Sequence, residues 1–184
     1  MPSPEKKPWI WGPLSPAGAW AALLVLAVDQ LHKWWMLNVY RIEDVLATQR
    51  AQQKTSVAVG PFLDVTYVLN SGVSYGLLPM STRQGQLALA GFALLASLAM
   101  AIWLAHSVTS RLVAVSLGLI IGGALSNAID RLYLGGVADF FQPHAFGLYW
   151  RWVFNIADMA IVAGVIGLLY DSLGLSRKDA SKAL

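Results

Sequence analysis

Asp29, Asp130, Asp139 and Asp158 lie within or beside long apolar stretches of this chain. A carboxylate at the centre of a membrane helix costs about 2.5–3.5 kcal/mol on insertion scales, so acids in such places are rare and functional by default. Only ten acidic residues serve the whole sequence, and four of them occupy these costly positions. Two carboxyls held close together resist double ionisation, so one keeps a proton and the pair offers a base beside an acid. The ionised member can take a proton from water while its protonated partner polarises a carbonyl. That machinery hydrolyses an amide with neither a metal nor a covalent intermediate. Spacing alone does not say which two of the four acids make the pair.

Other hydrolytic designs find no support. The chain has no cysteine, which removes disulfides, thiol nucleophiles and thiolate metal ligands together. There is no H-E-x-x-H, and His32, His106 and His144 are too dispersed to suggest a zinc site. The single G-x-S-x-G match, Gly72–Gly76, falls in the turn-and-strand stretch after Asn70 and not between a strand and a helix, as a serine-nucleophile elbow requires. Tyr170-Asp171 matches one motif of presenilin-like aspartyl proteases, but their G-x-G-D partner is missing, so Asp171 reads as a solvated helix-terminal charge.

The elements that must position the acids follow from composition. Of 184 residues 57% are hydrophobic and 12% charged, against about 25% charged in a soluble domain, so the chain reads as a single membrane-embedded unit. No basic run suggests nucleic acid. Four stretches are long enough to cross a bilayer as helix, which takes about 20 residues, at about 16–38, 84–106, 111–132 and 153–174. Lys6 and Lys7 before Ala17–Val28 would suit a cleaved signal peptide, but Asp29-Gln30 stands where small residues would be needed, so an uncleaved first span is expected. Gly118 and Gly122, four apart in the third stretch, suit close helix approach or are simply common membrane-helix glycines. Between the first two spans, residues 57–69 are rich in β-branched and aromatic residues, and Asn70-Ser71-Gly72 reads as a turn before Val73–Leu78. A small β element at about 57–78 is expected there, with Arg41–Lys54 as a loose or amphipathic connector. The expected fold class is an all-α membrane protein: a four-helix bundle carrying that small sheet on its outer face.

Lys6, Lys7, Arg111, Arg177, Lys178 and Lys182 crowd the side shared by both termini, which places the termini in the cytoplasm. Trp9, Trp11 and Trp103 then fall at the inner interface, and Trp34, Trp35, Trp150 and Trp152 at the outer one. Asp29 lies nine residues before Asn38, about 13 Å below the outer end. Asn127, Asp130 and Arg131 occupy the last turns of the third span, Asn155 and Asp158 the first turns of the fourth, and Asp139 the outer connection. Spans of alternating direction thus bring their polar groups to one leaflet, as a buried site opening outward.

The chain resembles lipoprotein signal peptidase, also called signal peptidase II, a family of bacterial inner-membrane aspartyl proteases. The resemblance rests on Asp29-Gln30 with Lys33, Asn70-Ser71-Gly72, the run from Gly122 to Arg131, Val137-Ala138-Asp139-Phe140 and Phe154-Asn155-Ile156-Ala157-Asp158, in family order across about Trp20–Gly174. It implies that Asp139 and Asp158 are the catalytic dyad. Asn127, Arg131 and Asn155 match polar residues around it, Asp29 and Lys33 match first-span positions, and Asn70 and Gly72 border the substrate groove. It also implies cleavage of prolipoproteins just before their diacylglyceryl-modified cysteine. Membrane lipid would surround the enzyme, no cofactor or metal is needed, the cyclic peptide globomycin should inhibit, and a monomer is expected. Ser126 stands where the family commonly has glycine, His32 where a small hydroxyl residue is common, and Ser74-Tyr75 where alanine-phenylalanine is usual. None of these touches the dyad.

Blander roles compete for some residues. Asp130 beside Arg131 suits an interfacial ion pair at a helix end, and Asp29 with Lys33 suits a self-neutralising pair. Arg131 suits either a helix cap or a lipid phosphate. Two other functional classes fit parts of the pattern. A small proton-coupled transporter would carry acids across the full bilayer, whereas the inner halves of these spans hold only Asp171, at the very end of the fourth. A non-catalytic scaffold would have no use for an intact dyad with its asparagines.

Overall fold

The computed structural model describes residues 11–52, 54–73, 78–79, 81–108, 110–146 and 148–174. The charges at Lys6, Lys7, Arg177, Lys178 and Lys182, together with Trp9 and Ser74-Tyr75, lie outside the described residues.

Helix α1 (Ser15–Trp34) starts with a proline in its first turn and passes into one wider turn, Trp35–Val39. A left-handed Arg41 (φ 54°) leads into the short helix α2 (Ile42–Arg50). Strands β1 (Val57–Ala58), β2 (Leu63–Asn70), β3 (Gly72–Val73) and β4 (Leu78–Pro79) follow. Helix α3 (Arg83–His106) and helix α4 (Arg111–Tyr133) run antiparallel, each opened by a hydroxyl cap: Thr82 accepts the Gly85 N–H and Ser110 the Val113 N–H. Strands β5 (Val137–Ala145) and β6 (Leu148–Tyr149) lead to helix α5 (Ile156–Ser172). The four long helices coincide with the four apolar stretches to within a few residues. Helices α3 and α4 are long and apolar enough to cross a membrane. Helix α1 carries Asp29 and Lys33 within its apolar run, and α5 is 17 residues long.

Helix α4 is the centre of the bundle: α1, α3 and α5 all pack on it, and its glycines let α1 and α5 approach closely. A Cβ on Gly118 would strike the Gly18 carbonyl oxygen of α1, and one on Gly122 the Ala22 backbone. Gly123 faces the Ala157 carbonyl of α5, while Gly164 of α5 faces Ser116 of α4. The glycine spacing is therefore a packing device on two faces. On α1 the buried residues Gly18, Val25, Asp29 and Lys33 form one stripe, so its acid and its lysine point inward with the core.

The sheet is larger than the sequence suggests. Its order is β1-β2-β5-β6, all antiparallel, with a separate β3-β4 hairpin. Strand β5, expected only as a connection, is the central partner of β2, in register Val68↔Asp139, Leu69↔Ala138 and Asn70↔Val137. Gly135, in the left-handed region at φ 77°, stops α4 and turns the chain into β5. Alternation along β5 sends Ala138 and Phe140 into a core with Met36, Ile42, Leu46 and Val65, and Asp139 to the opposite face. The 41–54 connector thus contains an amphipathic helix, which presses Ile42 and Leu46 under the sheet.

Candidate active site

Three backbone devices converge where the sheet meets the helix ends. Phe154 pairs with β5, donating its N–H to the Phe141 carbonyl at 3.0 Å and accepting the N–H groups of Phe140 and Phe141. The strand bearing Asp139 is thereby stitched to the residue before Asn155. Asn155 then caps α5: its Oδ1 accepts the Asp158 N–H at 2.9 Å, and its own N–H reaches Asp158 Oδ2 at 3.3 Å. Finally, Asn70 Oδ1 accepts the Gly72 N–H at 3.0 Å, closing the turn after β2.

Asn155 joins the two acids. Its Nδ2 donates to Asp139 Oδ1 at 2.6 Å and to Asn127 Oδ1 at 3.2 Å. Asn70, a diagonal neighbour across the β2–β5 ladder, donates to Asp139 Oδ2 at 3.1 Å. On the other side, Asn127 Nδ2 donates to Asp158 Oδ1 at 2.9 Å. Both oxygens of both carboxylates thus face amide donors, which orient them without adding a cation. Asp139 is 1% exposed. Burial, and then the charge of Asp158, raise its pKa from the usual carboxylate range to about 7, while the Asn70 and Asn155 hydrogen bonds and the charge of Lys33 oppose the rise.

Arg131, four residues after Asn127 on α4, donates from Nη1 to the Asn127 carbonyl at 3.2 Å and from Nη2 to the Gly72 carbonyl at 3.4 Å. It ties the helix end to the turn after β2, and its buried Nε has no hydrogen-bond partner among the described residues. A groove of about 340 Å³ opens between α3, α4 and α5. Asn70, Asn127, Arg131 and Asp158 stand at one end, and Leu89, Phe92, Met100 and Ile120 line the apolar remainder. Asp158 is only partly buried and faces this groove, whereas Asp139 lies behind it.

Asp29 and Lys33 do pair, at 2.6 Å, but not as a closed couple: Lys33 Nζ also lies 2.7 Å from Asp130 Oδ2 and 3.2 Å from Asn127 Oδ1. Asp130 is 3% exposed and its ionic partner is Lys33. The expected pairing with Arg131 is therefore corrected, since adjacent residues on a helix point some 100° apart and α1 supplies the nearer cation. Asp171 sits at the far end of α5, where it accepts the Ser110 hydroxyl at 3.0 Å, away from the other acids. Sequence reading missed Gln86, whose buried side chain donates to the Ser71 carbonyl at 2.6 Å and holds the turn after β2 from α3. The available signal was a glutamine one turn inside the helix, at the start of its uncharged run.

Among the described residues no cluster of histidine and acid has the spacing to hold a metal ion. A family model described as signal peptidase (SPase) II matches residues 21–174. The chain is 48% identical to a lipoprotein signal peptidase of Methylocella silvestris, covering 91% of this chain and 96% of that one. It is 44% identical to a lipoprotein signal peptidase of Beijerinckia indica, over 84% of this chain and 86% of the relative. A solved bacterial membrane enzyme shares the fold with a TM-score of 0.66 at 26% identity, over 91% of each chain.

Proposed function

The chain belongs to the signal peptidase II family, and on that premise we propose that Asp139 and Asp158 are the two acids with which it cuts. It is a membrane protease that removes signal peptides from prolipoproteins. The observation that carries the dyad assignment is Asn155, which binds Asp139 through its side chain and caps Asp158 through its backbone and Oδ1.

The pair holds one proton near neutral pH, and it rests on Asp139, whose pKa burial and the neighbouring charge lift to about 7. Asp158, facing the groove, is the base. It takes a proton from water as the water oxygen attacks the scissile carbonyl carbon, while Asp139 passes its proton to the carbonyl oxygen. When the tetrahedral diol collapses, the C–N bond breaks, the leaving nitrogen takes the proton held by Asp158, and Asp139 recovers its own. Asn70, Asn127 and Asn155 keep both carboxylates aimed through this cycle, and Arg131 and Gly72 shape the groove mouth. The scissile bond lies just before the lipidated cysteine. The apolar wall from Leu89 to Met100 suits the hydrocarbon of such a substrate, so lipid anchoring supplies much of the positioning.

We read 1–184 as one peptidase domain of four spans in the bacterial inner membrane. Both termini are cytoplasmic, the sheet is periplasmic, the active unit is a monomer, and globomycin inhibits it. The experiment is cleavage of a lipidated prolipoprotein by the purified protein and its Asp139→Asn and Asp158→Asn variants. Each substitution is expected to cut turnover by about 10²–10⁴-fold, and EDTA should leave the parent unaffected. Wild-type cleavage by either variant would end the assignment, and activity lost in EDTA and restored by zinc would point to a metal mechanism.

A further inference from the structure

Beneath the dyad lies a second, drier polar cluster. Lys33 of α1 is 3% exposed, Asp29 0% and Asp130 3%. Each carboxylate uses one oxygen on the Lys33 ammonium, at 2.6 and 2.7 Å. Each also accepts a peptide N–H from another element: Asp29 Oδ1 that of Ala157 at 2.9 Å, and Asp130 Oδ2 that of Ala138 at 3.1 Å. Ala157 immediately precedes Asp158, and Ala138 immediately precedes Asp139. The cluster is closed by Ser126, whose hydroxyl donates to Asp29 Oδ2 at 2.6 Å, and by Gln30, whose Nε2 donates to Asp130 Oδ1 at 2.9 Å.

We propose that Lys33, with Asp29, Asp130 and Ser126, is a positioning cluster for the reaction: one buried ammonium fixes two carboxylates, and each holds the peptide group just before one dyad acid. The proposal rests on the reading of Asp139 and Asp158 as that dyad. The chemistry needs a carboxylate because only it can accept from a cation and a peptide N–H together with no donor of its own facing them. Ala157 has one of the first-turn N–H groups that no helix can satisfy internally, so Asp29 completes from α1 the cap that Asn155 begins. Lys33 further reaches Asn127 Oδ1 at 3.2 Å, the amide that itself orients Asp158. Three routes thus lead from one ammonium to the two acids. A cluster that merely fastened α1 to α4 would need no contact with the residues before Asp139 and Asp158.

The test uses the full chain in lipid or detergent, with kcat and KM for a lipidated prolipoprotein measured per folded molecule. Asp29→Asn and Lys33→Met are each expected to lower kcat by about 10²-fold with KM within about two-fold, as small misplacements of reacting groups do. The double variant should be no worse than the poorer single, because the residues act as one unit. Ser126→Ala removes only a hydroxyl. It should show a smaller kcat loss at unchanged KM, which keeps the proposal testable if the charge variants do not fold. Undiminished kcat in a folded Asp29→Asn or Lys33→Met, or in Ser126→Ala if neither folds, would overturn it, as would multiplicative losses or a loss confined to KM. Asp158→Asn runs alongside: if that variant cleaves, the dyad reading fails. If it is dead while Asp29→Asn is fully active, only the positioning proposal fails.

Discussion

Asp139 and Asp158 are chemically identical side chains made different by their surroundings. Asp139 is enclosed by the sheet and two amides, while Asp158 looks into an open groove. With the Asp139 carboxyl lifted to about 7, it carries the proton below that pH and loses it above. On the proposed mechanism, ionising it leaves two negative charges in the pair and no acid to polarise the carbonyl. Hence kcat/KM should fall as pH rises through about 7, an alkaline limb that belongs to the coupled pair. The Asn70 hydrogen bond favours the ionised form, so Asn70→Ala should move this limb to higher pH. A pH–rate profile whose alkaline limb stays put or moves down in Asn70→Ala would remove the assignment of the proton to Asp139. Ser126 shows how the same surroundings act on a departure from family pattern: it replaces the common glycine and spends its hydroxyl on Asp29.

At the scale of elements, the helices depend on contacts that admit no side chain. Gly118 and Gly122 let the α4 backbone meet that of α1, and α1 brings Asp29 and Lys33 to the site. Gly118→Leu should therefore cost about 1–3 kcal/mol through overpacking, seen as a lowered melting temperature, with activity falling as α1 is displaced. Gly91 of α3 has open space where a Cβ would go, so Gly91→Ala should be neutral or stabilise by up to about 1 kcal/mol. Equal melting of both variants with the parent would show that the α1–α4 contact is looser than described. The four long helices were legible because an apolar run of helix length has few other uses, and Asn70-Ser71-Gly72 was legible because its turn is local. Strand β5 was not: Val137–Phe140 is buried on both faces, so it shows no clean alternation, and its partner β2 lies far back in sequence. The same limit hid the choice of Lys33 by Asp130. Arg131 is adjacent in the chain, whereas Lys33 becomes a neighbour only once α1 packs on α4.

Across the whole molecule, every proposed catalytic contact lies at one end of the bundle. The proposed sidedness, with that end in the periplasm and both termini in the cytoplasm, requires four crossings. Exposed Trp34, Trp35, Trp150 and Trp152 mark the sheet end, and exposed Trp11 and Trp103 the other, matching the two interfacial belts of a spanning bundle. Helices α3 and α4 alone would make a different object: with two crossings, the start of α1 and the end of α5 would share a side with the sheet. The chain has no cysteine, so single cysteines report sidedness without background. Pro13→Cys, Ser107→Cys and Ser172→Cys lie at exposed positions of one end, and Phe146→Cys, at a residue 99% exposed, at the tip of the β5–β6 hairpin. In intact cells with a permeable outer membrane, an impermeant maleimide should label only the hairpin position. After inner-membrane lysis it should label all four. Labelling of both Pro13→Cys and Ser172→Cys before lysis would reduce the crossings to two, leaving Asp29 and Lys33 outside the bilayer and removing the physical reason for burying them.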